Sequence, residues 1–408
     1  MEIQPILAAL RKHKIPAALI VLEIALACAV LCNAVFMIGQ RIAQIHLPNA
    51  IDEQGISDIR VMGTDPKLAV DDVPRNIAAL RQIPGVTAAA AINTMPLSHN
   101  GWNSSVASKP QEVMDKDSPN AATYLITSGG GQALGLRLLR GRFFTSEEFA
   151  DSKLSNNYIP TAHATLVTQS LAERLWPGQD ALGKQVWIGK QYHFTVVGII
   201  ADVLRPDQNG QGLAAFRWSM FLPISPGTGG FLSSYIVRSA PRDRARVIDG
   251  AKQKLAALSP NAVVRAITFS GIRDKFFANT RSMVWMLVLV CVVMLAVTAF
   301  GIVGLTSFWV RQRRRQIGIR RAVGATRAHI LQYFQTENFL LSTAGVVLGM
   351  ILAFGINLYL MQHYQLTRMP WYYLPASAIA LWILGQLAVL GPALRAANVP
   401  PVVATRGV

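Results

Sequence analysis

Four apolar stretches constrain what this chain can fold into: Ile15–Ile38, Met283–Trp309, Phe339–Met361 and Leu374–Leu394 of 408 residues. A helix needs about 20 apolar residues to cross a bilayer's hydrocarbon. Backbone groups in lipid must bond internally, so each stretch is expected to be a membrane-spanning helix. With their flanks the spans read 15–39, 282–310, 333–361 and 374–394. The first, at 24 residues, outruns the roughly 7 to 15 apolar residues of a cleaved signal and reads as a retained anchor. The second has 27 residues and at about 1.5 Å per residue would be roughly 40 Å long. It is expected to project beyond the bilayer as a link to the region before it.

Between the second and third stretches, segment 311–332 holds Arg311, Arg313, Arg314, Arg315, Arg320, Arg321 and Arg327 and no acid. Lys and Arg resist translocation, so this segment is expected to face the cytoplasm. The same rule puts 1–14 (Arg11, Lys12, Lys14) and 395–408 (Arg395, Arg406) inside, and region 40–281 with loop 362–373 outside. Trp371, Tyr372 and Tyr373 suit the outer interface. The net charge of +17 would fit nucleic acid, but its distribution fits topology better. Residues 41–281 carry 26 basic and 19 acidic groups, and the remaining 13 basic and 3 acidic groups flank the apolar runs. No nucleic-acid partner is expected; the lipid bilayer is. Ile317, Ile319, Ala322 and Val323 form a rough helical stripe, and Gly324 suits a helix end. The segment therefore reads as a short amphipathic surface helix that a soluble partner can grip. Two other readings stand beside this one: arginines that only fix topology, and a helix lying on anionic lipid.

Residues 40–281 are enough for a core and two subdomains. Strands are expected at 56–62, 86–92, 124–128, 165–168, 185–189, 193–200, 220–224, 235–239 and 263–268, and helices at 74–83, 169–176 and 241–258. The polar stretch 99–118 reads as a loop, Gly129–Gly131 as a tight turn, and 206–215 as a Gly-rich loop. Segment 271–281 is amphipathic and runs into the second span. Alternating helices and strands give an α/β or α+β region.

Little in the sequence points to catalysis. There is no phosphate-loop motif, no G-x-S-x-G and no H-E-x-x-H, and the seven histidines show no ligand spacing. No metal site is expected. Cys28, Cys32 and Cys291 all lie in apolar stretches, and Cys28 and Cys32, four apart on one helix, read as small packing residues. Glu23 lies inside the first span; it reads either as a functional acid or as a polar contact to a neighbouring helix. Gly301 and Gly304 allow close helix approach or a bend. Gly345-x-x-x-Gly349 is a small-residue face that serves either packing within one subunit or dimerisation.

The run R-Q-R-R-R-Q-I-G-I-R-R-A-V-G-A-T-R-A-H-I-L resembles the segment after the second span of MacB-type, FtsX-like ABC transporter permeases. L-G-L-R-L-L-R-G-R-F-F at 134–144, A-L-G-K at 181–184 with F-T-V-V-G at 194–198, Glu337 with Gly345 and Gly349, and P-A-L-R-A-A at 392–397 are similar to further motifs of that family. The resemblance implies four transmembrane helices with a large periplasmic α/β (α+β) domain of two subdomains, 40–281, inserted between the first and second. It implies a bacterial inner-membrane location with both termini cytoplasmic. It implies that the chain is not itself an enzyme and holds no cofactor, ATP and Mg being bound by a separate cytoplasmic ABC ATPase. That ATPase would dock on Gln316, Ile317, Gly318, Ile319, Arg320, Arg321, Gly324, Ala325 and Arg327. A second permease, a periplasmic adaptor and an outer-membrane channel are the further implied partners. The implied function is efflux of a drug, peptide or lipid-like substrate; the alternative is an FtsX-like mechanical signalling protein that regulates a cell-wall enzyme or senses a ligand. Gln316 stands where the family usually has Glu, and the tail 398–404 lacks the family's acids. These departures lead to the expectation of a heterodimer with an unlike permease over a homodimer.

Overall fold

The computed structural model describes residues 14–63, 69–155, 159–207, 212–228, 232, 234–364 and 369–398. Segment 1–13, Tyr158, part of loop 362–373, and the tail beyond 398 with Arg406 lie outside the described residues. Two compact units result: Leu47–Asn279, and Met1–His46 together with Thr280–Val408.

In the first unit, strands β1 (Ile56–Met62), β2 (Val86–Ile92), β10 (Ser234–Ser239) and β11 (Val263–Thr268) form an antiparallel sheet ordered β11-β1-β10-β2. Helix α2 (Ala69–Arg81) connects β1 to β2, and α7 (Arg244–Leu258) connects β10 to β11. Two β-α-β halves in that order make a ferredoxin-like unit. Its core forms where Ile59, Val61, Ala89, Ala91 and Val237 meet Val73, Ile77, Leu80, Val247, Ala251 and Leu255. Strand β2 reads V-T-A-A-A-A-I, and alanine is a weak strand former. Here β2 is covered by α2 and by α3 (Gly130–Leu134), so small side chains let both helices approach.

The other strands are inserted between β2 and β10. They are β3 (Trp102–Ala107), β4 (Asn120–Ile126), β5 (Leu138–Gly141), β6 (Ala164–Thr168), β7 (Gln185–Ile188), β8 (Tyr192–Ile200) and β9 (Ser219–Pro223). The pairings β4–β3, β3–β7, β7–β8, β8–β6, β6–β9 and β9–β4 close into a ring, and β5 adds to β8. One register pair, Ile92 with Ile126, joins this ring to the ferredoxin-like sheet. Short helices α4 (Ser146–Ala150), α5 (Gln169–Leu175) and α6 (Gly212–Ala215) lie in its connections.

Several expectations need correction. Polar 99–118 contains β3 and a short 3-10 turn at Glu112–Met114. The Ser104 hydroxyl is buried and accepts from Thr123 Oγ1 at 3.2 Å, while Asn103 Oδ1 accepts from Arg205 Nη2 at 2.8 Å. The polar side chains are thus satisfied inside the ring. Arg205 is fully buried, with its guanidinium also on the Asn120 carbonyl, and burial pulls its pKa below the ordinary value. Helix α2 begins at Ala69, so Pro74 lies inside it and leaves one backbone hydrogen bond of the helix unmade. Gly129 adopts φ 85° and is followed at once by α3. The Gly-rich stretch 206–215 ends in α6.

Four helices are long and apolar enough to cross a membrane: α1 (Lys14–Ile45), α8 (Phe269–Gln312), whose start as far as Asn279 belongs to the first unit, α10 (Arg327–Tyr364) and α11 (Tyr373–Ala397). Helix α8 starts well before the expected second span and has 44 residues. Helix α10 packs on α1 and α11. A short helix, α9 (Arg314–Ala322), separates α8 from α10. The expected single helix over 311–332 is therefore broken: Arg327 already belongs to α10.

Candidate functional site

Both ends of α9 are defined by local bonding. At its start the Arg313 amide still donates to the Trp309 carbonyl at 2.9 Å, so α8 turns into α9 with little interruption. At its end Gly324 takes φ 106°. The Ala325 amide then donates to Arg320 O at 3.0 Å and the Gly324 amide to Arg321 O at 3.2 Å, the paired bonds of a Schellman ending. A side chain at position 324 would be strained, which is why the sequence has glycine there.

The predicted docking residues divide between two faces. Ile317, 5% exposed, and Gly318 turn into the bundle, where Ile317 joins the cluster of Trp309, Ile330 and Phe334. Gln316, Ile319, Arg320, Gly324 and Arg327 face outward, and Arg321 and Ala325 are half-buried. Ile319 and Val323 are 49% and 83% exposed. The apolar stripe inferred from spacing is thus not one face, because residues two apart on a helix point about 200° apart. Ile319 and Val323, four apart, do share a face. They form an apolar patch edged by Gln316 and Arg320.

Three contacts tie α9 and the residue before it to the bundle. Arg321 Nη1 donates to Ala397 O at 3.0 Å, which places a cation at the negative C-terminal end of α11. The Arg320 guanidinium lies over the Tyr333 ring, 5.1 Å from its centre. Arg313 Nη1 donates to both Glu337 oxygens at 3.1 and 3.2 Å, with Glu337 only 2% exposed. In the sequence Arg313 stands only as one of the topology-setting arginines. The signal was available: seven arginines without an acid are followed by the lone acid Glu337 at the start of an apolar run.

The glycines of the helical unit do different things. A Cβ on Gly345 would stand 2.7 Å from Ile24 Cβ, and one on Gly349 would stand 2.5 Å from Cys28 Cβ and 2.7 Å from Ala25 O. The small-residue face is therefore filled by α1 of the same chain, and the dimer reading of this motif is replaced by internal packing. A Cβ on Gly301 would overlap the Glu23 carboxylate, so this pair is brought together. Gly304 has nothing within 4 Å among the described residues of this chain.

In the unit Leu47–Asn279 a cavity of about 660 Å³ opens beside α3 and α4. Phe143, Phe144, Phe149 and Leu136 supply its apolar wall, and Arg137 and Arg238 its charge. Gly135, φ 68°, leaves room for the Arg238 guanidinium, which also pairs with Asp52 at 2.6 Å. Helix α4 carries a capping box between Thr145 and Glu148, and Arg142 holds the Glu148 carboxylate at 2.8 and 2.9 Å. That contact, with the Thr145 bonds, depresses the Glu148 pKa. Phe143 and Phe144 thus line a cavity, whereas Trp102 packs against the core.

Residues 18–257 match the family described as the MacB-like periplasmic core domain, and residues 288–401 match the FtsX-like permease C-terminal family. The macrolide export ATP-binding/permease protein MacB of Chromobacterium violaceum is 25% identical over 234 residues, 55% of this chain and 33% of that protein. The probable syringafactin export ATP-binding/permease protein SyfD of Pseudomonas syringae pv. tomato is 27% identical over 208 residues, 48% of this chain and 30% of that protein. The chain thus spans about a third of the length of the curated relatives it matches. Among solved structures, the periplasmic region of MacB from Actinobacillus actinomycetemcomitans aligns with TM-score 0.38 and 14% identity over 55% of this chain and 94% of that one. The extracellular domain of the transporter YknZ from Gram-positive bacteria aligns with TM-score 0.34 and 19% identity, covering 52% of this chain and 99% of that one.

Proposed function

Because the chain belongs to the family of MacB-type, FtsX-like ABC transporter permeases, we propose that it is the permease subunit of an ABC efflux system powered by a separate ATPase. ATP and Mg are bound by that ATPase. In this reading α9 and both termini lie in the cytoplasm, and Leu47–Asn279 lies in the periplasm. The observation that carries it is the division of α9. Ile317, Gly318 and Arg321 fasten it to the bundle, while Ile319 and Val323 stay exposed at the foot of two long helices. A helix fixed on one face and apolar on the other is suited to transmit a partner's movement. The ATPase drives α9, the bundle carries the motion, and the outer unit passes a drug, peptide or lipid-like substrate to a periplasmic adaptor and an outer-membrane channel.

The second permease is an unlike chain in this proposal. Gln316 is exposed on the docking face without the family's usual charge, and the sibling supplies the acidic half of the contact. The apolar side of α8, with Trp285, Leu289, Val293 and Phe300 exposed, offers a surface for lipid or for that sibling.

The test is a mild-detergent pull-down from native membranes with every stoichiometric partner identified by mass. The wild-type chain is expected to capture an ABC ATPase, a second permease and an adaptor. Ile319→Glu with Val323→Glu is expected to lose the ATPase while keeping the wild-type melting temperature. Capture of no ATPase by the wild type, or full capture by the variant, would remove the docking role of α9. Two copies of this chain without a sibling would remove the heterodimer.

A further inference from the structure

Strand β11 is an edge strand: among the described residues it pairs only with β1. Its register sets Arg265 directly opposite Arg60. Paired residues of an antiparallel ladder share a face, with Cβ atoms about 4.5 to 5.5 Å apart, and like charges there are destabilising. Arg60 has a local counter-charge, Asp58, 2.7 Å from its Nε; that carboxylate is fully buried and also accepts from the Ser234 hydroxyl. Arg265 makes no ion pair among the described residues. Nor do Lys252 from α7 and Lys275 from the start of α8, which line the same cleft of about 470 Å³. Four cations thus border one space, and its lining has no carboxylate.

The cleft has two further features. Its rim includes Leu97 and His99, which adopt φ 62° and 70°. Left-handed backbone is disfavoured at residues other than glycine and persists only where the surroundings enforce it. Here Leu97 N donates to Arg205 O at 3.1 Å, His99 N donates to Pro206 O at 2.7 Å, and the His99 ring stacks on Phe276 at 4.7 Å. The remaining wall is apolar, with Ile267 and Ile272 beside the cations. Lys275 precedes Met283, where the second apolar stretch begins, by eight residues of sequence.

We propose that this cleft binds a phosphate-bearing amphiphile, with Arg60, Arg265, Lys252 and Lys275 around the phosphate and Ile267 and Ile272 against its apolar part. The ligand relieves the Arg60–Arg265 repulsion and supplies the charge that no side chain in the cleft supplies. The inference rests on the outer unit alone and holds whether or not α9 docks an ATPase.

The test uses the full chain purified in a non-ionic detergent. Dioctanoyl phosphatidic acid, dioctanoylglycerol and inorganic phosphate are titrated separately, with binding followed by thermophoresis. The phosphatidic acid is expected to bind saturably and dioctanoylglycerol not to. Arg265→Gln with Lys275→Gln, both exposed positions, is expected to weaken binding about tenfold or more. A control with Lys153→Gln and Lys190→Gln removes the same charge elsewhere on the exposed surface and is expected to bind as wild type. Equal affinity for inorganic phosphate would identify a free-anion site and overturn the amphiphile. Equal loss in the control, no effect of the Arg265 and Lys275 changes, or no binding of any probe would overturn the site itself. Arg60 is left intact because its removal strands buried Asp58 and would test folding instead.

Discussion

Gly345 and Gly349 hold α1 against α10 because their missing side chains leave space that Ile24, Ala25 and Cys28 occupy. Lipid tails are as apolar as leucine, so helices in a bilayer associate through such close contact. Gly349→Leu is expected to cost about 1 to 3 kcal/mol through overpacking and to lower the melting temperature in detergent. Gly304→Leu, where nothing lies within 4 Å, should leave it unchanged. Equal effects of the two would remove the packing role of Gly349. Arg313 and Glu337 give a second residue-scale prediction. Removing one partner of a buried ion pair strands the other charge, at about 3 to 5 kcal/mol, whereas replacing both by apolar groups can be neutral. Glu337→Leu alone should therefore destabilise strongly, and Arg313→Met in the same chain should restore much of the loss. Melting curves of the two single variants and the double variant measure this; additive losses would mean that the pair is not coupled. The sequence showed each of these residues as a type, but it could not show partners. That Gly345 meets Ile24 depends on which helices are neighbours, a choice made over more than 300 positions of chain.

Elements were legible in proportion to how locally their stability is set. Strands β1, β2 and β11 match the expected ranges to the residue: all three are strand-length segments in which apolar residues are in the majority. Strand β3 was not legible, since Asn103 and Ser104 are satisfied by Arg205 and Thr123, groups far away in sequence. The break after α9 was legible at Gly324, but its inner and outer faces were not, because an arginine-rich nine-residue helix has too few apolar positions to define a stripe. Gly324→Ala forces a Cβ into φ 106°, at about 1 to 3 kcal/mol. It should reduce ATPase capture while Gly355→Ala, a glycine with open space around it, does not. Helix α4 yields a pH prediction. Glu148 is bonded first by Arg142 and then by Thr145, so its folded pKa lies below that of the unfolded chain. A depressed carboxylate contributes stability that is present above the ordinary glutamate value of about 4.3 and lost as pH falls through the lower folded value. Hydrogen exchange, corrected for intrinsic rate, should show the α4 amides protected at pH 7 and opened in acid. Glu148→Gln should open them already at pH 7; a pH-independent pattern in the wild type would rule this out.

At the scale of the whole molecule, the charge distribution and the four long helices support one sidedness: α9 on one side of the membrane and the turn after β7 on the other. The ferredoxin-like order β11-β1-β10-β2 was invisible in sequence because the ring is inserted between its two halves. The sidedness does not depend on that order and can be tested directly. The three native cysteines are buried, at 9% exposure or less, so they should react little with a membrane-impermeant maleimide. A cysteine placed at Lys190, exposed in the turn between β7 and β8, and one placed at Val323, on the outer face of α9, then report separately. In intact spheroplasts the first should label and the second should not; after permeabilisation both should. The reverse pattern would place the arginine segment outside, where no cytoplasmic ATPase can reach Ile319 and Val323. Labelling of both in intact cells would break the link between the arginine cluster and topology. Only the expected pattern leaves α9 able to pass motion from a nucleotide-driven partner to the unit across the bilayer.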